Sequence, residues 1–442
     1  MTMASGGKVG ANGAAPGILR IHRGKYLARS AKLRRLFHNR SGNVAVMAAL
    51  CLPLLLGAAG LGVDTIQWVL AKRELQGAVD GAAISGVYSA LQSADAQAAA
   101  DESLAKSHLL DPRRAVLVEN PAPGHEDDPF AVHVQVTIPA QLSFSGLFLS
   151  KPPLLTADAT ATVVQNGTYC AFALGAEPGT GILIAANAEL KGNCGIASNA
   201  ASNKGVEIEH GASVEVARLV SAGAIDGDPI TSGSMRSFAL SEKDPLEDTE
   251  APPIPKTGCP NVTVNGDDRQ SVSLEPGCYG NMILNGSVHL QDGEYILNRG
   301  SFIAGATANI SCESCTIILT SDDPLGEPGS IGNIRINQNA TIKLTAPTEG
   351  ADAGILFYQD RHAEMAEDSD GNRIAGNGFS KLQGLIYAPA QTVRVTGDPS
   401  SDLSCARFVG KRLILEGRIY ISSDCSQGNV ITLRGTEVRL IG

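Results

Sequence analysis

From Val44 to Val63 the chain reads VAVMAALCLPLLLGAAGLGV, twenty residues without a charge. At 1.5 Å per residue a helix of that length spans about 30 Å, the thickness of a bilayer's hydrocarbon core. The pattern predicts one transmembrane helix over 44–63, with Pro53 where a kink would fall. Beyond Asp64 the apolar positions Trp68, Leu75, Val79, Ala82 and Gly86 keep to one side of a helix that continues outward without a break. Ser93 stands where a second helix, over ADAQAAADESLAKSHLL, would be capped, and Asp111-Pro112 ends it. The period then shortens to two: AVLVEN, FAVHVQVTI, LSFSGLFL and LTADATATVV read as strands separated by Pro, Gly and acidic turns. Residues 64–166 therefore predict a small α+β, pilin-like domain with a long helix laid on a sheet.

The chain from 167 to 442 has no helical period and many short strand-like pieces punctuated by Gly, Asn and Asp. MIL, SVHL, EYIL, SFIA, ANIS and TIIL begin at Met282, Ser287, Glu294, Ser301, Ala308 and Thr316. Three such pieces consume about twenty residues, the spacing of a coil whose apolar face is buried only against the next coil. The expectation is an all-β domain built as a parallel β-helix; the alternative is a β-sandwich, whose strands usually recur at wider spacing. The acidic, proline-rich stretch 241–258, SEKDPLEDTEAPPIPKTG, reads as a protruding loop or hinge.

Charge sharpens the topology. Net charge is −10, yet residues 1–40 carry nine Lys or Arg and no Asp or Glu, so the remainder sums to −19. Positive flanks stay cytoplasmic, which places a basic arm, 1–43, inside and the acidic remainder outside the inner membrane of a bacterium-like cell, either periplasmic or surface-exposed. So acidic a remainder would repel phosphate backbones, and nucleic acid is excluded as its partner. The basic segment and the apolar run are both longer than those of a cleaved secretory signal. Cys51 falls in the span. Eight cysteines follow it, an even number in an exported segment, and sequential pairing gives Cys170–Cys194, Cys259–Cys278, Cys312–Cys315 and Cys405–Cys425. Cys312-Glu-Ser-Cys315 also has the spacing of a redox pair or half a zinc site, but it lies between strand-like segments and no second such pair exists.

Arg40-Ser-Gly-Asn-Val-Ala, the apolar span, Gly62-Val63-Asp64, Trp68, and then Lys72-Arg-Glu-Leu75-Gln76-Gly-Ala-Val-Asp80-Gly-Ala-Ala resemble the N-terminal region of TadG-like proteins of the tight-adherence (Tad/Flp) pilus assembly system. The resemblance covers residues 39 to 90, with a looser echo in VHVQVTIPAQL and ADATATV. It implies a membrane-anchored component whose partners are pilus assembly proteins or pilins, with Asp64, Trp68, Leu75, Gln76 and Asp80 as the family positions at the membrane exit. Related pilin-like proteins are cleaved after a glycine by a prepilin peptidase, with a glutamate five residues on. Here Gly42 is followed at that distance by Met47, which fits the uncleaved type; cleavage would make Asn43 the first residue of a minor pilin or adhesin. The DxSxS metal loop of the von Willebrand A domain found in many members is missing. GILFYQD and LQGLIYAPAQTVRVTG are similar to C-terminal regions of TadG-related proteins.

No GxSxG, HExxH or GxxxxGK[ST] motif occurs, and no cofactor or metal site is predicted. Scattered side chains can still build a polysaccharide-cleaving site on a β-helix. Gln359-Asp360-Arg361-His362 with Glu364, Glu367, Asp368 and Asp370 is the nearest candidate, against the simpler reading of a solvated acidic loop. Asp368-Ser-Asp370-Gly-Asn372 departs from a calcium loop at Arg373 and Phe379. His210, His289 and His362 are isolated. The leading expectation is a non-catalytic pilus-assembly component that acts by docking, in contact with inner-membrane lipid and displaying a face for protein or glycan. Its rival is a polysaccharide-binding or polysaccharide-degrading enzyme.

Overall fold

A computed structural model of the chain describes residues 43–107, 114–254, 258–265, 271–365, 371–400, 402–425 and 430–441. These form two compact units. The first takes the N-terminal helix as far as Gly77, with 114–116 and 136–157; the second takes 78–107, 117–135 and the chain from Asp158 onward.

Helix α1, Asn43–Leu91, runs unbroken from the charge-free stretch through its amphipathic sequel, with Pro53 inside it. Among the described residues it is the one helix long and apolar enough to cross a membrane. Leu50, Leu54 and Leu55 are exposed, whereas Leu75, Val79, Ala82, Ala83 and Val87 are fully buried. Small residues in the second half have a packing reason: a Cβ at Gly86 would stand 2.8 Å from Val132 Cγ1. Helix α2, Ala96–Ala105, is capped by Asp95, whose Oδ1 accepts from the N–H groups of Gln97 at 2.9 Å and Ala98 at 3.3 Å. The predicted cap, Ser93, instead takes a positive φ of 55° in the preceding turn, where the extended geometry of an N-cap is out of reach. Asp111-Pro112 lies outside the described residues.

Three strands follow: β1, Ala115–Glu119; β2, Val132–Pro139; and β3, Leu154–Ala173. β2 alternates buried and half-buried along its whole length. The strand expected over LSFSGLFL is absent. Residues 142–149 form a loop with a single 3₁₀ turn, Ser145–Leu147, and the backbone N–H groups a ladder would have used go to a carboxylate of α1. β3 pairs antiparallel with Leu433–Leu440, and its last residues then enter a parallel ladder.

That ladder is an all-β array. Strands Met282–Leu284, Ser287–Leu290 and Gly293–Asn298 pair in parallel with Phe302–Ala304, Asn309–Cys312 and Cys315–Thr320, each strand meeting the third one after it. Met282 faces Phe302, Ser287 faces Asn309 and Gly293 faces Cys315. Further on the same pattern persists with longer turns, Phe302 facing Ile334 and Lys343 facing Lys381. Inward side chains such as Phe302, Ile317, Leu344 and Phe357 form one continuous core. A buried amide network of Gln359, Asn372 and Gln391 fixes the register where the turns are longest.

The strands are not stacked in chain order. Ala406–Ile421 pairs on one side with the strand Lys381–Gly397 and on the other with the end of β3, Ile182–Ile184 and Glu189–Gly192. The chain thus enters the ladder in its middle, builds outward to Ser232–Arg236, re-enters at Val262–Val264 and builds back until its last strands pair with its first. The segment between these ends includes 241–258, and its described part is no protruding loop. Glu242 and Leu246 are buried; Glu242 exchanges backbone hydrogen bonds with the Asn199 side chain, at 2.7 and 2.8 Å, and its Oε2 accepts from Thr436 N at 2.9 Å. Leu246 packs in a second apolar cluster with Tyr169, Phe172, Tyr358, Tyr387 and Val409. The segment is a strap lying along the outside of the ladder.

Disulfides join Cys170 to Cys194, Cys259 to Cys278, Cys312 to Cys315 and Cys405 to Cys425. Cys170–Cys194 ties neighbouring strands, and Cys405–Cys425 brackets the strand on which the two arms of the ladder meet. Cys51 is a free thiol exposed on α1.

Candidate docking site at the membrane boundary

Asp64 and Trp68, which follow the apolar run, converge on one loop. Asp64 is fully buried although it is the first charge after twenty apolar residues. Its carboxylate accepts the Phe144 N–H on both oxygens, at 3.2 and 3.0 Å, and the Ser145 N–H at 2.5 Å. These charge-assisted bonds replace the water that a carboxylate at an apolar boundary would otherwise need. One turn further, Trp68 donates its indole N–H to the Gln141 carbonyl at 2.8 Å, and Ser143 Oγ donates to Gln67 Oε1 at 3.0 Å. Residues four apart lie on one face of a helix, so Asp64 and Trp68 hold the loop as two rivets in line.

The same face continues into the span through glycines. A Cβ at Gly60 would stand 2.8 Å from Phe144 Cβ, and one at Gly57 would just touch the Phe148 ring at 4.0 Å. Gly57, Gly60, Asp64 and Trp68 thus make a seam into which the loop fits, polar above and small-residue below. Leu75 is buried further along α1; Gln76 and Asp80 are half-buried and each holds a polar or ionic partner. Gly42 lies outside the described residues, and Asn43 is the first residue of α1. The loop's share of this site, Gln141, Ser143, Phe144 and Ser145, was missed in the sequence, where alternation disguised it as a strand. The glycine spacing before Asp64 was the available signal.

Asp360 and Arg361 of the charged group are held by hydrogen bonds, whereas His362 is exposed. Asp360 is buried, accepting from Thr320 Oγ1 at 2.7 Å and from the His362 N–H at 3.0 Å. Arg361 donates to the Leu246 carbonyl at 2.5 Å, the Tyr387 hydroxyl at 3.2 Å and Asp244 Oδ2 at 3.4 Å, and Tyr387 itself donates to Asp244 at 2.8 Å. Burial and the Asp244 carboxylate push the Tyr387 hydroxyl well above its ordinary pKa, so it stays a donor. Arg361 therefore fastens the strap, and Asp360, Arg361 and His362 line a cleft of about 750 Å³ together with strap residues such as Glu247 and Glu250. Glu364 is exposed; Glu367, Asp368 and Asp370 lie outside the described residues. His210 is exposed 3.8 Å from Asp228, and His289 shares a contact with Ser311 Oγ at 3.3 Å. Among the described residues no group of three His, Cys, Asp or Glu side chains could hold a metal ion. Cys312 ends one strand and Cys315 begins the next, a corner without the helix N-terminus that activates a redox thiol.

Residues 42–90 match the Tad family model, described as "Putative Flp pilus-assembly TadE/G-like". The matched segment is α1 and carries the Asp64–Trp68 seam. No curated protein matches the chain, and no solved structure does.

Proposed function

We propose that this chain is a single-pass, non-catalytic component of a Tad/Flp-type pilus assembly system that works by docking. It would hold the basic arm 1–43 in the cytoplasm, the span 44–63 in the inner membrane, an α+β domain over 64–166 beside it, and the β domain 167–442 outside. The observation that carries this reading is the Tad match on α1. The charge asymmetry about the span supports the orientation, and four disulfides suit an oxidising compartment. α1 also leaves Ile66, Val69 and Leu70 exposed just past Asp64, an apolar stripe on which a pilin or assembly protein would pack.

Parallel pairing of every third strand supports reading 167–442 as a β-helix. On its surface Arg335, Arg373 and Arg394 stand in register on neighbouring strands; Arg394 is ion-paired with Glu416, and Arg335 and Arg373 line a cleft of about 470 Å³ with Asn337 and Asn339. In a strongly acidic chain this column suits an anionic glycan or protein as the displayed face's ligand. Deleting residues 1–63 should release a soluble product and abolish pilus output or adhesion. Normal piliation with that deletion would sink the proposal. The enzymatic rival predicts unsaturated products when the detergent-solubilised chain is incubated with acidic polysaccharides, where a binder retains the glycan intact.

A further inference from the structure

The loop that docks on the Asp64–Trp68 seam carries large apolar side chains that its own unit leaves uncovered. Leu147 is 83% exposed and Phe148 69%, and Phe144, Leu149 and Leu154 are exposed as well. Soluble proteins seldom leave such a contiguous patch to water, so something covers it. Its position on α1 says what. Phe144 sits on Gly60 and Phe148 reaches Gly57, four and seven residues before Asp64 along the helix. At 1.5 Å per residue those contacts lie about 6 and about 10 Å on the membrane side of Asp64. Amphipathic segments that lie in an interface bury their apolar faces about 5–10 Å deep, the same range.

We infer that residues 142–149 are a membrane wedge, inserted into the outer leaflet beside the helix that spans it, with Leu147 and Phe148 among the upper acyl chains. The inference rests on reading 44–63 as the span. The bonding explains how a non-helical segment tolerates such a place. Irregular backbone is costly at membrane depth unless its N–H groups are satisfied, and here the N–H groups of Phe144 and Ser145 are taken by Asp64 while those of Leu147, Phe148 and Leu149 bond within the turn. Ser143 and the Trp68 indole face the boundary with their polar atoms paired. Insertion would fix the tilt and rotation of the membrane segment of α1.

Trp68 is the sole tryptophan of the chain, which makes the test direct. The full chain carrying Leu147→Trp in a Trp68→Phe background is reconstituted into phosphatidylethanolamine–phosphatidylglycerol vesicles, and integration is verified by flotation after carbonate extraction. Leu147 is mostly exposed, so the larger ring displaces no packing. Lipids brominated near the top of the acyl chain should cut the new emission by about half, with aqueous iodide nearly without effect. Emission quenched by iodide and indifferent to bromolipid overturns the wedge. Shielding from both quenchers shows that protein covers the loop, and also overturns it. Failure to float with the vesicles removes the anchor reading itself, a separate outcome. If Trp68→Phe weakens the loop's seat, Phe148→Trp in the chain that keeps Trp68, with the wild-type signal subtracted, distinguishes lipid, water and protein around the loop in the same way.

Discussion

The strap's first anchor is titratable, and its pH dependence can be worked through. Glu242 is buried, with Oε2 held by the N–H and hydroxyl of Thr436 and Oε1 without a partner among the described residues. Burial outweighs those two bonds and lifts its carboxyl from 4.5 to about 7. Between those values the folded chain keeps a proton that the unfolded chain has released. The stability this group contributes is therefore fully present below 4.5, falls as pH rises toward about 7, and is level above it. At 1.36 kcal/mol per unit the full loss is about 3.4 kcal/mol, of which about 2.5 falls between pH 5 and 8. The perturbation that isolates it is Glu242→Gln, which keeps an acceptor for Thr436 and removes the titration. Urea unfolding of the detergent-solubilised full chain, followed by near-ultraviolet circular dichroism at pH 5 and 8, gives the difference. Wild type should lose about 2.5 kcal/mol more than the variant over that interval. Equal losses in the two would show that Glu242 is hydrated in the folded state and that the strap is not seated as described.

Arg361→Met should free the strap near its middle by removing the donors to Asp244 and to the Leu246 carbonyl. A cost of about 2 kcal/mol would raise cleavage after Glu247 or Glu250 by glutamyl endopeptidase about thirtyfold, and an unchanged rate would count against the clamp. Alkylation with mass mapping of the membrane-extracted protein should label Cys51 alone. Replacing Cys259 and Cys278 together with Ser should cost about 3 kcal/mol, because the bridge closes a loop of about twenty residues. Free thiols at most of the other cysteines would overturn the exported assignment.

How far the sequence could be read depended on whether the determinants were local. The apolar helix, its unbroken run through α1 and the six strands from Met282 to Thr320 were legible, because each follows from a pattern that neighbouring residues set. Past Thr320 the ladder lengthens its turns, so that Phe302 meets Ile334 and Lys343 meets Lys381, and the seven-residue rhythm dissolves although the pairing does not. LSFSGLFL misled for the opposite reason: its alternation is genuine, but Asp64, eighty residues earlier, takes the N–H groups that a strand would have offered to a neighbour. Ser93 is a good cap by residue type, but it takes a positive φ, and Asp95 accepts the first free N–H groups of α2 instead.

The strap could not have been read from composition, since Pro and acidic residues mark a hinge and a surface-hugging crossover alike. Topology decides it. A ladder entered in its middle has two growing ends, and a chain that finishes one must travel outside the coils to start the other. The return needs a segment that resists adding itself to the ladder edge, which proline ensures by withholding N–H donors. It also needs fastenings that are neither strand pairing nor core burial alone. Leu246 in an aromatic cluster, Asp244 between Tyr387 and Arg361, and Glu242 against Thr436 and Asn199 supply them. The same closure places Ala406–Ile421 between Lys381–Gly397 and the end of β3. Residues more than 230 apart in sequence must therefore find each other before the ladder is continuous, a non-local contact whose loop-closure entropy is recovered only when that strand docks. Cys405–Cys425 brackets that strand, and Cys170–Cys194 holds the partner it meets, so both bridges stand where the ladder's longest-range closure is made.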